Sequence, residues 1–356
     1  MALDREQVIA SLRNVQDPEL DQDLVSLGMV KDVKVEGSRV DLVIELTTPA
    51  CPLKEHIRRD VETALRAAGA RKINVDFTAR PGGGMPTPKD LLPQVKSIIA
   101  VGAGKGGVGK STVAVNLAIG LQRSGAAVGL MDGDVYGPSI PTMMGIRGLV
   151  PQLKMNRIVP LFVHGIHVIT IGSLVEEDKP LIWRGPMAQG AFRQLLADNT
   201  QWPKLDYLII DLPPGTGDVP LTLCQLLPLT GAVVVATPQQ VALDDAIRAV
   251  HMFEVLNVPV LGIVENMSYF VGPDGSEHDI FGRGGAEKAA QKLGLPFLAS
   301  IPMFPELRVN SDAGNPRANF EGDPKLAAAL QQMVNNLASQ VKLGKMQSRR
   351  PELNIV

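Results

Sequence analysis

The sequence is poor in cysteine, in aromatic residues and in excess charge of either sign. Its two cysteines, Cys51 and Cys224, lie far apart, so a disulfide framework is excluded and a reducing cytoplasm is the expected location. A net charge of −2 over 356 residues gives no basic surface for nucleic acid. No apolar run approaches the ~20 residues of a membrane span, and the N-terminal residues do not resemble a secretion signal. We therefore expect a cytoplasmic protein with neither nucleic acid nor a membrane as partner.

The length predicts about two domains. Alternating patterns over residues 1–80 predict a small α+β domain in the order helix–strand–strand–helix–strand. A linker rich in glycine and proline follows over 81–95. Strands and helices then alternate over 96–342, ending in an amphipathic helix at 325–341, which predicts an α/β domain with a doubly wound, mostly parallel sheet. Residues 343–356 are expected to form a polar tail.

The second domain opens with a strand, a glycine-rich loop and a helix. Ser97–Val101 is a short apolar run, and Val113, Leu117 and Leu121 follow at the spacing of one helix face. Between them, the sequence GKGGVGKS fits G-x-x-x-x-G-K-[ST], the phosphate loop. Such a loop needs glycine because its backbone N–H groups must converge on phosphate oxygens. The motif and its strand–helix context together predict binding of ATP and Mg²⁺.

The motif gives its residues distinct roles. Lys110 is expected to hold the β- and γ-phosphates, and Ser111 is expected to ligate Mg²⁺. Residues expected to surround the nucleotide are Gly104, Lys105, Gly106, Gly107, Val108, Gly109, Lys110, Ser111 and Thr112. Glycines of this run also fit G-x-G-x-x-G, the dinucleotide fingerprint of a dehydrogenase. That pattern explains neither Lys110 with Ser111 nor the acidic motifs downstream, so it ranks third among the functions considered.

Acidic residues follow two further predicted strands. Asp132 and Asp134 end the run Ala127–Met131, and Asp211 ends LDYLIID. Because the carboxyl ends of parallel strands face the nucleotide crevice, we expect all three at the site. Asp211 is expected to reach Mg²⁺ through water and Asp132 to support that metal indirectly. Asp134 is the candidate for orienting the attacking water, which makes Asp134 and Lys110 catalytic candidates.

Cys51 stands immediately before Pro52, at the start of a predicted helix. A helix N-terminus favours the thiolate and lowers the pKa of a thiol there, which suits a metal ligand or a sulfur nucleophile. Burial as a small apolar side chain is the usual fate of a free cysteine. Position alone leaves these alternatives open.

The loop carries a lysine near each end, Lys105 and Lys110, and so resembles the deviant Walker A motif of the MinD/ParA/nitrogenase-iron-protein ATPases. That resemblance implies a nucleotide-dependent homodimer in which Lys105 reaches the phosphates bound by the partner subunit. The stretches GKGGVGKS, DGDVYGPSIP, IIDLPPGTGD, ENMSYF, IFGRGGAEK and IPM together resemble the Mrp/ApbC-type iron–sulfur cluster carrier ATPases over residues 97–340.

This second resemblance implies a function as well as a fold. It implies an ATPase that assembles or carries iron–sulfur clusters for apo-proteins or scaffold proteins, with Asn266 reading the adenine edge. The run TTPACPLKEHI resembles the small domain of cytosolic iron–sulfur assembly proteins, in which this cysteine is a signature. The resemblance therefore favours Cys51 as an iron–sulfur ligand over a buried apolar role.

One departure from that family stands out. Many members carry a Cys-x-x-Cys pair just after the ENMSYF stretch, and that pair binds the shared cluster. This sequence has Gly272 and Gly275 at those places, in a Gly-Pro-Asp-Gly run typical of a plain turn. Clusters need soft thiolate ligands, which glycine does not supply. An ATP-switched partner-binding protein of ParA/MinD logic, without a cluster, is therefore the alternative function.

Overall fold

The computed structural model describes residues 4–13, 15–17, 22–26, 29–46, 54–79, 91–134, 137–154, 157–170, 200–272 and 274–348. The chain divides into two compact units, Met1–Thr87 and Pro88–Val356. Several predicted features lie outside the described residues, namely Cys51, the run over 81–88 and the tail from 349 onward. The domain boundaries given above stay predictions.

The small unit contains the predicted order of helices and strands, with two very short strands in addition. Its elements are α1 (Arg5–Leu12), β1 (Gln16–Asp17), β2 (Gln22–Asp23), β3 (Val30–Glu36), β4 (Arg39–Leu46), α2 (Lys54–Ala67) and β5 (Lys72–Ala79). Strand β4 is central, antiparallel to β3 and parallel to β5. Apolar side chains at alternate strand positions, such as Val40, Leu42 and Ile44, pack with those of both helices into one buried core.

The large unit alternates strands and helices. Its elements are β6 (Ile98–Gly102), α3 (Lys110–Arg123), β7 (Val128–Asp132), α4 (Ile140–Met143), β8 (Gln152–Lys154), β9 (Arg157–Val159), β10 (Leu161–Val163), β11 (Ile166–Thr170), β12 (Tyr207–Asp211), α5 (Asp218–Leu226), β13 (Gly231–Ala236), α6 (Gln240–Val255), β14 (Val260–Val271), β15 (Glu277–His278), α7 (Gly285–Leu293), β16 (Phe297–Met303), α8 (Pro305–Asp312), a 3₁₀ helix (Pro316–Phe320) and α9 (Pro324–Ser348).

Most of these strands form one sheet in the order β10-β11-β7-β12-β6-β13-β14-β15, with β16 also paired to β14. The pairings from β11 through β14 to β16 are parallel, whereas β10 and β15 pair antiparallel to their neighbours. The first strand, β6, lies between β12 and β13, so the chain winds outward from it in both directions. This is the doubly wound, mostly parallel arrangement that the sequence predicts.

Apolar layers cover both faces of this sheet. On β6, Ile99 and Val101 pack with α3 and α9, while Ile98 and Ala100 pack with α6 on the opposite face. A parallel strand buried on both faces needs apolar residues at successive positions, which explains the uninterrupted run over 97–101. The helix face predicted around Leu117 is buried, as expected.

The structure differs from the sequence prediction at the last helix and at the end of the predicted linker. Helix α9 continues to Ser348, beyond the predicted end at 341, and Lys345 donates a hydrogen bond to the Ser97 hydroxyl at 2.7 Å. Within the predicted linker, Leu92 is buried in the core of the large unit and Val95 pairs with Leu205. Among the described helices, none combines the length and apolar character needed to cross a bilayer.

Candidate functional site

The sheet brings the ends of the acid-bearing strands together. Asp211 at the end of β12 is the register partner of Asp132 on β7 and of Val101 on β6, and Asp132 is the partner of Thr170 on β11. The glycine-rich loop leaves β6 at the same edge, next to β12. Three chain segments that are separated by up to about a hundred residues therefore meet at one point, where the strand order reverses.

The loop between β6 and α3 is held by close contacts at two glycines. A Cβ at Gly104 would lie 1.9 Å from the backbone oxygen of Asp245 on α6, so the loop packs directly on that helix. A Cβ at Gly109 would lie 2.0 Å from the Asn266 side-chain nitrogen, and Gly109 also has a φ of +81°. Any larger residue at either position would force the loop away from its support.

The outer side of the loop is open. Gly106 and Gly107 are exposed, and no atom of the described residues lies within 4 Å of a Cβ placed on either residue. Lys105 is partly buried beside them. The start of α3 follows immediately, with its unpaired N–H groups and positive dipole end. Supported on one side and open on the other, the loop has the shape required of a phosphate cradle.

Lys110, the first residue of α3, makes the contacts that define the site. Its ammonium lies 2.7 Å from one Asp211 carboxylate oxygen, 3.7 Å from Asp134 and 3.2 Å from the Ser111 hydroxyl. The side chains of Lys110 and Asp211 are 6% and 0% exposed, so this ion pair is shielded from water. Electrostatic interactions are stronger in a low-dielectric interior than in water, so a charged ligand at this site would interact strongly with the buried pair.

The two acids on the β7 side differ in their surroundings. Asp132 accepts hydrogen bonds from the Asp134 backbone N–H and from the Thr170 hydroxyl, both at 3.1 Å. Burial, together with the neighbouring Asp211 carboxylate, raises the pKa of Asp132 to about 8. Burial also raises the pKa of Asp211, against the lowering effect of the Lys110 ammonium. Asp132 thus fixes the loop that presents Asp134, and it does so from a fully buried position.

A buried carboxylate oxygen of Asp211 is relevant to whether Mg²⁺ and a phosphate fit this site. The second carboxylate oxygen of Asp211 is buried and, among the described residues, has no hydrogen-bond partner. Among the described residues, no group of three or more His, Cys, Asp or Glu is arranged to hold a metal ion alone. Mg²⁺ is usually bound by one or two protein oxygens, waters and substrate phosphates, so this site fits a nucleotide-bound Mg²⁺ through Ser111 and Asp211.

The loop after β12 contacts the phosphate loop directly. The Gly215 N–H donates to the Ala103 carbonyl oxygen at 2.9 Å, and Leu212 N–H donates to Val101. From its place directly after Asp211, the Pro-Pro-Gly-Thr-Gly sequence predicts a loop that senses the γ-phosphate, and this contact links it to the loop that would bind that phosphate. The sensing role itself stays a prediction.

The apolar run before Asn266 predicts a strand that ends at Val264, but the structure places Asn266 within β14, which continues to Val271. The continuation pairs antiparallel with β15, a partner that the apolar pattern did not reveal. Asn266 is 3% exposed and donates through its side-chain nitrogen to the Val108 carbonyl at 2.9 Å. The structure thus brings it to the phosphate loop, and its predicted contact with adenine stays a prediction.

Sequence reasoning missed two polar groups near the site. Glu265 is fully buried, and its carboxylate accepts the backbone N–H groups of Gly284 and Ala286 at the start of α7, each at 2.8 Å. Asn116 on α3 donates to the Thr112 carbonyl at 2.8 Å and accepts from Asn319 at 3.0 Å. In the sequence, Glu265 and Asn116 are marked only as polar residues within apolar runs, a pattern that does not identify their partners.

Of the two cysteines, the described residues include only Cys224. Cys51 lies outside the described residues, so its role stays a prediction. Cys224 on α5 is 3% exposed, and burial raises the pKa of its thiol to about 12. Gly272 and Gly275 belong to a turn closed by hydrogen bonds from Gly272 N–H to Ser276 O and from Gly275 N–H to Gly272 O.

Comparisons with known proteins match both units. A family model described as NUBPL iron-transfer P-loop NTPase matches residues 94–338, and one described as iron-sulfur cluster assembly protein matches residues 5–77. An iron-sulfur cluster carrier protein from Synechocystis sp. is 47% identical over 344 residues, covering 94% of this chain and 97% of the relative.

Solved structures agree with the fold. A nucleotide-binding protein from Archaeoglobus fulgidus, in complex with ADP, is 38% identical with a TM-score of 0.60, covering 68% of this chain and 94% of that one. The cell division ATPase MinD from Pyrococcus furiosus, at 22% identity, has a TM-score of 0.53 over 68% of this chain and 99% of its own, and it shows the fold alone. The predicted fold class and family resemblance are confirmed: this chain belongs to the iron–sulfur cluster carrier family of P-loop NTPases.

Proposed function

We propose that this protein is a homodimeric ATPase that assembles or carries iron–sulfur clusters and delivers them to apo-proteins. The observation that supports the ATPase most directly is Lys110, buried between Asp211 and Asp134 beside an open glycine loop. An exposed lysine would be solvated, whereas this one is held where the phosphates of a nucleotide would lie. A cytoplasmic location belongs to the proposal and rests on the low cysteine content.

In the proposed reaction, water attacks the γ-phosphate in line with the leaving ADP. Lys110 exchanges its carboxylate partners for phosphate oxygens and neutralises the charge that develops on them. Ser111 and Asp211 would hold Mg²⁺, which would supply positive charge beside Asp211 and the phosphates. Asp134, whose backbone N–H is fixed by Asp132, orients the attacking water. Gly104 to Thr112 hold the phosphates through backbone N–H groups, the Ser111 hydroxyl and the helix N-terminus.

The homodimer rests on Lys105. This partly buried residue immediately precedes the exposed Gly106 and Gly107, where the proposal has a second chain approach the bound phosphates. In the proposal, Lys105 of each protomer contacts the nucleotide of the other, so that ATP joins two chains and hydrolysis releases them. The family resemblance supports this arrangement.

The iron–sulfur cargo is supported by the family and by the assembly-protein match of the small unit. Its ligands must be thiolates, and the proposal assigns them to Cys51. The alternative is an ATP-switched partner-binding protein without a cluster. The turn at Gly272 and Gly275 favours that alternative, because it supplies no thiolate where many family members have two.

Two measurements on the full chain test the proposal. Calorimetry should detect ATP binding in the presence of Mg²⁺, and light scattering should detect a dimer that depends on ATP. Absence of ATP binding would overturn the ATPase and everything that depends on it. A monomer in saturating ATP would contradict the role of Lys105.

Anaerobic reconstitution with iron and sulfide tests the cargo. The proposal expects visible charge-transfer absorption that is lost in Cys51→Ala and retained in the matched variant Cys224→Ala. Absorption that survives in Cys51→Ala would remove that residue as the ligand. A colourless wild-type protein that still dimerises on ATP would favour the cluster-free switch.

A further inference from the structure

The antiparallel hairpin of β8 and β9 carries apolar side chains that lie in solvent. Leu153 in β8 is 71% exposed, and Leu149 and Val150 just before this strand are 50% and 75% exposed. Single exposed aliphatic residues are common on protein surfaces, but three within five positions form a patch of the kind that marks an interaction surface. None of these three residues belongs to the nucleotide site described above.

The charge of the same segment is of one sign. The sequence over 135–175 contains no aspartate or glutamate, although the whole chain has a net charge of −2. Its lysine and arginine residues are Arg147, Lys154 and Arg157, and all three are exposed. A surface that combines cations with exposed apolar side chains attracts a partner that is both acidic and apolar.

The register of the hairpin places two of these cations directly opposite each other. Lys154 on β8 is the partner of Arg157 on β9. Like charges in such a pair destabilise a sheet, because the two side chains extend from the same face. In the hairpin of β3 and β4, by contrast, Lys34 is opposite Asp41, a pair of opposite charge. A local feature that lowers the stability of the free protein is expected where function requires it.

The outer edge of β8 is open to another strand. On its inner side β8 pairs with β9, and Ile158 of β9 forms a bridge with Thr200 on the far side. No strand among the described residues pairs with the other edge of β8. Backbone N–H and C=O groups along such an edge can pair with an extended segment of another chain.

The side chains of β8 determine which sequence would suit such a segment. Successive side chains of a strand point to opposite faces, so Lys154 lies on one face with Arg157, and Leu153 lies on the other with Ile158. An added strand would place its own side chains alternately beside the cations and beside Leu153. Acidic residues suit the first face and apolar residues suit the second, so the edge fits a strand in which the two types alternate.

We propose that β8 is a docking site for an extended segment of a partner protein in which acidic and apolar residues alternate. The site goes beyond the proposed ATPase and does not depend on it. The segment over 135–175 has three cations, fewer than the about four to eight that are typical of segments that bind anionic lipid. A second copy of this segment would bring more cations and no acid, which disfavours self-association through β8.

Fluorescence anisotropy of a labelled peptide tests the proposal on the full chain. The probe is a short blocked peptide that alternates Glu and Val, and its two controls replace every Glu with Gln or every Val with Ser. The Glu–Val peptide should bind, and its affinity should fall as NaCl is raised, because salt screens exposed charges. Each control should bind about fivefold more weakly or less. Absence of Glu–Val binding, or equal binding of the Gln control, would overturn the proposal.

Variants of the hairpin locate the binding. Lys154→Glu and Leu153→Ser should each weaken the Glu–Val peptide by about fivefold or more. Lys34→Glu, at an exposed strand position of the small unit, is the matched control and should leave the affinity unchanged. Wild-type affinity in both hairpin variants, or an equal loss in Lys34→Glu, would overturn the proposal. ATP binding should be normal in Lys154→Glu, so failure of the docking site is distinguishable from failure of the proposed ATPase.

Hydrogen–deuterium exchange of the free protein tests the like-charge pair without any probe. Lys154→Glu places an acid opposite Arg157, so amides of β8 and β9 should exchange more slowly, by up to about fivefold. Lys34→Glu places an acid opposite Asp41, so amides of β3 and β4 should exchange faster. Unchanged or faster exchange of β8 and β9 in Lys154→Glu would overturn the inference that this pair is kept for a partner at the expense of stability.

Two other occupants of β8 would be revealed by further measurements on the same variants. The proposal expects no binding to vesicles that contain phosphatidylserine and no dimer in the absence of nucleotide. Sedimentation with the vesicles that is lost in Lys154→Glu would overturn it in favour of a membrane surface. A nucleotide-free dimer detected by light scattering in the wild type and lost in Leu153→Ser would overturn it in favour of a second copy of the chain.

Discussion

Two glycine-rich segments of the large unit invite comparison, the phosphate loop over 102–109 and the turn over 271–276. In the first, glycines meet other elements, as Gly104 meets α6 and Gly109 meets Asn266 of β14. In the second, the hydrogen bonds run within the turn or to the adjoining β15: Gly272 N–H donates to Ser276 O, the Asp274 carboxylate accepts the Ser276 N–H and hydroxyl, and the Ser276 hydroxyl also bonds His278. No atom of the described residues lies within 4 Å of a Cβ placed on Gly275.

The difference separates a site from a turn. The phosphate loop has an exposed face at Gly106 and Gly107, and beside it the Lys110 ammonium lies between the Asp211 and Asp134 carboxylates. The turn satisfies its own polar groups, and the Ser276 hydrogen bonds lower the pKa of Asp274, as in many solvated turns. The described residues are therefore organised for a nucleotide at the first segment and show no comparable preparation for a metal cluster at the second.

The largest effect should come from Lys110→Ala. ATP binding and hydrolysis should fall below detection, because the γ-phosphate loses its main counter-charge. The free energy of unfolding should also fall, by about 3 kcal/mol, because Asp211 and Asp134 lose their buried partner. Since burial raises the pKa of Asp211 above its ordinary value, the folded variant holds a proton that the unfolded chain releases, and the destabilisation should grow as the pH rises above that ordinary value.

Urea unfolding at several pH values measures the destabilisation. Lys96→Ala is the control, because Lys96 also lies 2.7 Å from a carboxylate, that of Asp206, but its side chain is 73% exposed. An exposed pair contributes less than about 1 kcal/mol, and its removal should not affect ATP. Equal destabilisation by Lys110→Ala and Lys96→Ala would contradict the view that the Lys110 ammonium compensates buried carboxylates.

Asp134→Asn should separate chemistry from binding. The amide keeps the shape of the side chain and an oxygen for the Gly137 N–H, but it no longer carries the charge that orients the attacking water. Hydrolysis should slow by about 10²–10⁴, the usual contribution of a proton-handling group. ATP affinity should change little. Single-turnover hydrolysis together with calorimetry measures both quantities, and an unchanged turnover rate would remove Asp134 from this role.

Gly109→Ala and Gly275→Ala compare the two segments directly. Both glycines have a φ of +81°, so alanine carries the same backbone strain at each, about 1–2 kcal/mol. Only at Gly109 does the new methyl also meet another element. Gly109→Ala should weaken ATP by more than about tenfold, as loss of loop geometry implies, whereas Gly275→Ala should leave ATP affinity unchanged. Similar ATP affinities in Gly109→Ala and Gly275→Ala would mean that the contact at Gly109 does not shape the nucleotide site.

Much of the nucleotide site could be predicted from the sequence because its signals are local. The motif around Lys110 is continuous, and the apolar runs before Asp132 and Asp211 reveal strands whose carboxyl ends must share an edge. Because neighbouring parallel strands pair in register, the sheet then places Asp132 and Asp211 side by side. The sequence therefore predicted which residues meet, although it did not predict that Lys110 pairs with Asp211 at 2.7 Å.

The missed contacts are those that join distant segments through one polar side chain. Asn266 meets Val108 across 158 positions, and a single asparagine within ENMSYF gives no sign of that partner. The continuation of β14 to Val271 was missed for a related reason, because its pairing with β15 depends on a turn and not on apolar periodicity. Such contacts follow from tertiary packing, which overrides local pattern.

The smallest effect concerns Cys224 and sharpens the cluster side of the comparison. In a Cys51→Ser chain, Cys224 is the one remaining thiol. At pH 8, a thiol whose pKa is raised to about 12 by burial carries on the order of a thousandfold less thiolate than a free cysteine. Alkylation by iodoacetamide should therefore be slow in the native variant and fast in urea, as followed by mass spectrometry. Fast native alkylation would mean that Cys224 opens to solvent, and a second thiolate would then have to be counted among the ligands available to an iron–sulfur cluster.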